Sequence, residues 1–101
     1  MELELKTLNN NGLYVKYSGK INIENANEIN MAVKSHLENI KELVFDFSEI
    51  DYISSAGLRM LHDIYKTVNE QKGSIYIKNA NKDVKNVFEI SGFHSFLNII
   101  D

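Results

Sequence analysis

Cysteine is absent from the 101 residues. That excludes disulfides, thiolate zinc sites and a cysteine nucleophile. Proline is absent too, and no linker, repeat or low-complexity stretch divides the chain. No apolar run approaches the roughly 20 residues that cross a bilayer, so membrane insertion is not expected. The opening Met-Glu-Leu-Glu-Leu-Lys alternates and carries acid, unlike a signal peptide; the expected compartment is the cytoplasm. Net charge is -3 with no basic patch, which argues against nucleic acid as the main partner. His36, His62 and His94 lie far apart without ligand spacing, so no metal site is expected. There is no Walker-type loop, no dinucleotide fingerprint and no arguable Ser/His/Asp set. The chain is therefore expected to be no enzyme and to carry no cofactor.

What is present suits one ordinary globular domain over residues 1–101. Hydrophobic residues make up 44% and charged residues 25%, and a chain of this length can bury a core without staples. Leu3, Leu5 and Leu8 suit a first strand, Asn9-Asn10-Asn11-Gly12 a hairpin turn and Leu13–Ser18 the return strand. Residues 19–23 read as a short continuation or edge. Ala26, Ile29, Val33, Leu37 and Ile40 recur at helical spacing, predicting a helix over about 24–38. Lys41–Phe47 is a strand whose apolar run predicts burial on both faces or nearly so. Leu58, Leu61, Ile64, Tyr65 and Val68 give a second helix its stripe, with Gly73 expected as a left-handed terminator. Ser74–Lys78 is a further strand. Asn81 caps a third helix ended by Gly92, and Phe96 to Ile100 predict a final strand or docked tail. Met31, Met60, Tyr65 and Phe88 are expected in the core or at its edge. Helical crossovers imply some parallel pairing, so the fold class is α/β: a mixed sheet with helices packed on it.

The strand ending at Asp46-Phe47 runs through Ser48-Glu49-Ile50-Asp51-Tyr52-Ile53 into Ser54-Ser55-Ala56-Gly57-Leu58-Arg59. Two hydroxyls thus sit where a helix begins, a place that favours negative charge. One of the pair is expected as the helix N-cap, and the two roles can be shared, Ser54 capping and Ser55 reacting. If Ser55 were to carry a phosphate, its oxygens could meet the N–H groups of Ala56, Gly57 and Leu58. Asp46 is expected to bond loop N–H groups, or to support a switch loop. Glu49 and Asp51 read as solvated, Gly57 as a residue of close packing or partner approach, and Arg59 as exposed.

These elements resemble the STAS domain family, and within it the small bacterial anti-sigma factor antagonists. The resemblance rests on the Leu43-Val44-Phe45-Asp46-Phe47 strand, on Ser54-Ser55-Ala56-Gly57-Leu58 before a helix, and on Gly19-Lys20-Ile21-Asn22 before the first helix. The family has Asp where this chain has Asn22 and Ser54. Ala56 stands where the family usually carries its phosphorylated Ser. The resemblance implies a phosphorylation-switched, non-enzymatic module. Ser55 is its implied acceptor, with Ser54 as the alternative. Asn22, Asp46, Ser54, Ser55, Ala56, Gly57 and Arg59 are the implied partner-binding residues. The implied partners are an anti-sigma factor that is also a serine kinase, and a PP2C-type phosphatase; a monomer is expected. The other reading is a constitutive adaptor of a lipid transporter or signalling scaffold, without a covalent switch.

Overall fold

The computed structural model describes residues 2–100. Strands β1 (Leu3–Leu8) and β2 (Gly12–Tyr17) form the expected hairpin. Its turn holds Asn10 and Asn11 at φ 64° and 61°, a backbone that Asn tolerates well. Strands β4 (Glu42–Asp46), β6 (Ser74–Lys78) and β7 (Asn98–Ile100) complete a five-stranded sheet in the order β1-β2-β4-β6-β7. Only the β1–β2 pair is antiparallel; β2–β4, β4–β6 and β6–β7 are parallel. The mixed α/β architecture is therefore as the residues imply.

Register puts Leu13, Leu43 and Ile75 in one row, and Val15, Phe45, Ile77 and Ile99 in the next. All but the half-buried Ile99 are inaccessible or nearly so. The alternate row of Tyr14, Val44 and Tyr76 is half-exposed. β4 is thus fully buried on one face; on the other Asp46 is buried but Val44 only half-buried and Glu42 exposed, short of the two-sided cover read from its apolar run. Continuous hydrophobicity marked its place in the middle of the sheet but not the second cover.

Helix α1 is shorter than its periodicity suggested, Ala26–Lys34. The next residues follow as turns, with His36 N–H donating to the Val33 carbonyl and Ile40 N–H to that of Leu37. Leu37 and Ile40 remain buried, so they extended the apolar stripe without extending the helix. Helix α2 spans Ser55–Glu70 and α3 Lys82–Ser91. Asn81 caps α3 through the Val84 N–H at 2.8 Å, and Gly92 follows at φ 82°, both as expected. Phe93–Ser95 then form a single 3-10 turn before β7.

Gly73 does not terminate α2 as a left-handed residue. Lys72 takes that conformation, at φ 62°. Gly73 is small for another reason: a Cβ there would lie 2.8 Å from the Lys41 carbonyl oxygen and 2.9 Å from its Cα. Met60 and Phe88 are core and Tyr65 is half-buried, but Met31 is 66% exposed.

The largest departure is a small second sheet. Gly19–Ile21 is β3, and Ile50–Ile53, read as turn from sequence, is β5; the two pair in parallel. Gly19, at φ 116°, starts this ladder and donates its N–H to the Glu49 carbonyl at 2.9 Å.

Candidate functional site

Parallel pairing of β3 and β5 sets their C-terminal ends side by side. The residues that follow them are Asn22 and Ser54. The Ser54 N–H donates to the Ile21 carbonyl at 2.9 Å, which fixes the entry into α2. Ser54 is the N-cap: it is extended (φ −93°, ψ 177°) and its Oγ accepts the Gly57 N–H at 3.3 Å. Its carbonyl accepts the Leu58 N–H at 2.9 Å. The expected cradle of Ala56, Gly57 and Leu58 amides is therefore smaller. Gly57 and Leu58 are already engaged by Ser54. The N–H groups of Ser55 and Ala56, in the first helical turn, have no carbonyl within the helix to bind.

Ser55 is the first helical residue and is exposed, whereas Ser54 is partly buried. The division of labour between the serines is thus geometric: one is committed to the cap, the other points at solvent. Gly57 is buried against both strands, since a Cβ there would sit 2.6 Å from Ile53 Cγ1 and 2.8 Å from Ile21 Cγ2. Close packing is what requires the glycine, and it locks the first turn of α2 onto β3 and β5.

Asn22 organises the facing loop. Its Oδ1 accepts the Glu24 N–H at 2.9 Å, its own N–H donates to Asn25 Oδ1 at 2.9 Å, and its carbonyl accepts the N–H groups of Asn25 and Ala26. Asn25, which the sequence reading passed over, ties this loop back to Tyr17 Oη (3.0 Å) and to the Lys20 carbonyl (2.7 Å). The Asn-x-x-Asn spacing ahead of a helix was the available signal.

Asp46 ends β4 in the main sheet, and along the chain β5 stands between it and the serines. It is buried. Tyr14 Oη donates to its Oδ2 at 2.7 Å and the Ser48 N–H to its Oδ1 at 2.9 Å. Burial pushes its pKa up, but hydrogen bonds from Tyr14, Ser48 and Asn79 outweigh that and hold it below the usual carboxylate value. The same bond, with burial and the neighbouring charge, raises the Tyr14 hydroxyl. The carboxylate thus fastens the turn after β4, as one of its two sequence readings had it. Glu49 pairs with Lys16 at 3.0 Å and accepts from Ser18; the Lys16 bond, then the Ser18 bond, lower its pKa.

Two open hollows flank Ser55. One, about 290 Å³ between α1 and α2, is lined by Ala56, Arg59, Met60 and Asp63 with Asn27 and Asn30 opposite. The other, about 550 Å³, is lined by Ser55, Leu58, Arg59, His62 and Phe93. Phe93 and His62 belong to an aromatic cluster with Tyr65 and Phe96, centroids 4.7–6.5 Å apart. Sequence reasoning missed His62 and Phe93 as neighbours of the serine, because the fold alone brings the 3-10 turn beside α2. No group of three His, Asp or Glu among the described residues is placed to hold a metal ion.

The comparisons with known proteins point the same way as the fold. A profile of the STAS domain matches residues 2–101. BtrV of Bordetella bronchiseptica, provisionally named an anti-sigma factor antagonist, is 33% identical over 78 residues, covering 76% of this chain and 67% of BtrV. The anti-sigma-B factor antagonist of Bacillus subtilis is 24% identical over 91 residues, covering 90% of this chain and 84% of the relative. The fold matches that of the anti-sigma factor antagonist SpoIIAA in its unphosphorylated form, with a TM-score of 0.79 at 11% identity, covering 98% of this chain and 87% of that one. Bacillus SpoIIAA in its phosphorylated form matches with a TM-score of 0.76 at 12% identity, covering 96% of this chain and 89% of that one. The chain belongs to the STAS domain family.

Proposed function

We propose that this chain is an anti-sigma factor antagonist switched by phosphorylation of Ser55. The observation that carries the reading is an exposed hydroxyl at the first position of α2, next to a serine already committed to the cap. In the unmodified state the surface formed by Asn22, Ser54, Ser55, Ala56 and Arg59 binds the anti-sigma factor and frees its sigma factor; Gly57, buried, seats that surface on β3 and β5 instead of touching the partner, and Asp46 holds the turn after β4. The anti-sigma factor, acting as a serine kinase, transfers the γ-phosphoryl of ATP. The Oγ–P bond forms, the β–γ bridging bond breaks, ADP leaves, and the hydroxyl proton passes to the kinase's base. A PP2C-type phosphatase hydrolyses the ester and resets the chain. The chain itself catalyses nothing, works in the cytoplasm as a monomer, and consists of one STAS domain over residues 1–101.

The physics favours a switch read by the partner. A phosphoserine adds about -1.5 to -2 charge and three acceptor oxygens. A helix start accepts such a group without rearrangement. Disturbing a buried charged contact in an interface costs about 2–5 kcal/mol, or roughly 30-fold to several thousand-fold in affinity.

Incubation with the cognate serine kinase and ATP, followed by mass spectrometry, tests the acceptor. Phosphate is expected on Ser55 and is lost in Ser55→Ala; phosphate elsewhere, or none, sinks the switch. The second reading, a constitutive adaptor of a lipid transporter or scaffold, is favoured by Ala56 at the position of the usual acceptor. It predicts that Ser55→Ala and Ser55→Asp retain one partner at equal affinity in a pull-down.

A further inference from the structure

Arg59 stands four residues after Ser55 on α2, and both line the hollow shared with Leu58, His62 and Phe93. Side chains at this spacing are neighbours on a helix surface. Because each Cα–Cβ bond tilts toward the helix N-terminus, the long Arg59 side chain leans back over the turn that carries Ser55. Arg59 has no hydrogen-bond or ionic partner among the described residues. The carboxylate one turn beyond it, Asp63, is taken by Asn30 Nδ2 and Lys34 Nζ, each at 2.9 Å. The first turn of α2 contains no acid. An uncommitted guanidinium therefore sits one turn from a neutral, exposed hydroxyl.

We infer that a phosphate on Ser55 is gripped by Arg59 of the same helix, so that modification withdraws a cation from the surface while adding a dianion. The inference rests on the reading of Ser55 as the acceptor. A guanidinium offers two parallel N–H donors to two phosphate oxygens. The N–H groups of Ser55 and Ala56 remain for another oxygen. A partner carboxylate that pairs with Arg59 before modification thus loses its counter-charge and meets new negative charge in one step. This makes the switch sharper than repulsion alone, and it assigns Arg59 two alternating anions rather than a fixed contact.

The test places phosphoserine at position 55 of the full chain by synthesis, so that no kinase is involved. The second ionisation of the phosphate is then titrated by phosphorus NMR. In the unsubstituted chain it is expected to fall about half a unit below that in Arg59→Ala. Arg59→Lys lies between the two, since an ammonium is a point charge without the fork. The difference shrinks at about 1 M salt. His62→Gln, which removes the other titratable side chain of the hollow, leaves the unsubstituted value in place. Equal values in Arg59→Ala and the unsubstituted chain overturn the inference, as does an effect of His62→Gln as large as that of Arg59→Ala. Arg59 is exposed, and coincident melting curves verify that each variant is folded. Failure of kinase labelling at Ser55 removes the acceptor reading without touching this titration, so the two failures are distinguishable.

Discussion

Replacing Ser54 with alanine removes the acceptor of the Gly57 N–H. The expected loss is about 1 kcal/mol, or roughly 4–8 °C in melting temperature for a domain of this size. Ser54→Asp restores an acceptor, and its charge suits the helix start, so its melting temperature should equal or exceed that of the parent chain. A Ser54→Ala protein as stable as the parent would show that the 3.3 Å bond contributes nothing. Asp46 gives a second expectation, in pH. Its folded pKa lies below the ordinary value because the Tyr14, Ser48 and Asn79 bonds outweigh burial. Its contribution to stability is therefore present above the ordinary carboxylate range and is lost as pH falls through the folded value. Tyr14→Phe removes the 2.7 Å donor. The Asp46 titration followed by NMR should move upward, and acid unfolding should begin at higher pH. The residue types of this turn were legible: a serine pair ahead of Ala-Gly announces a helix start. Ser54 as the cap was one of the arrangements the pair allowed, and the structure has it so; the sequence did not single it out, because the choice depends on where β5 ends.

At the scale of elements, two segments separate what the sequence showed from what it concealed. Asn81, β6 and Gly92 carry local signals, and each stands where those signals put it. Ile50–Ile53 carries aliphatic residues only at its two ends, with Asp51 and Tyr52 between them and Ser48, Glu49 and Ser54 around it, and reads as a turn. Its pairing with β3 joins segments some thirty residues apart, and no short-range pattern announces such a ladder. Gly73 teaches a related lesson. A glycine after a helix suggests a left-handed end, yet here it admits the Lys41 backbone, whose carbonyl accepts the Ser74 N–H at 2.8 Å. Gly73→Ala sets a methyl against backbone atoms that cannot turn aside. The expected destabilisation is about 1–3 kcal/mol, measured by urea unfolding. An unchanged midpoint would mean that the α2–β6 connection yields more readily than its geometry implies.

For the molecule as a whole, phosphorylation is expected to act on binding and leave the fold alone. The radius of gyration is 12.2 Å, about that of a compact domain of 100 residues, and Ser55 lies outside the core. Far-UV circular dichroism of the modified and unmodified chains should superpose, and their melting temperatures should agree within a few degrees. Affinity for the anti-sigma factor, measured by calorimetry, should fall roughly 30-fold or more. A modified chain that melts early or loses helix would place the switch inside the fold. The overall α/β plan was readable because helical and strand periods alternate along the chain. The faces were not, since the covering of β4 on one side depends on where distant helices settle.

The fit of Gly57 between Ile21 and Ile53 carries one more consequence. With that first turn clamped to two strands, the serine hydroxyl is a fixed terminal and cannot swing out as an extended tail. An enzyme that loads it must read a folded shape, entering at a helix end, and not thread a linear motif through a groove. A short synthetic copy of residues 50–60 would lack Ile21 and the ladder that holds the turn. It would present the right letters in the wrong form.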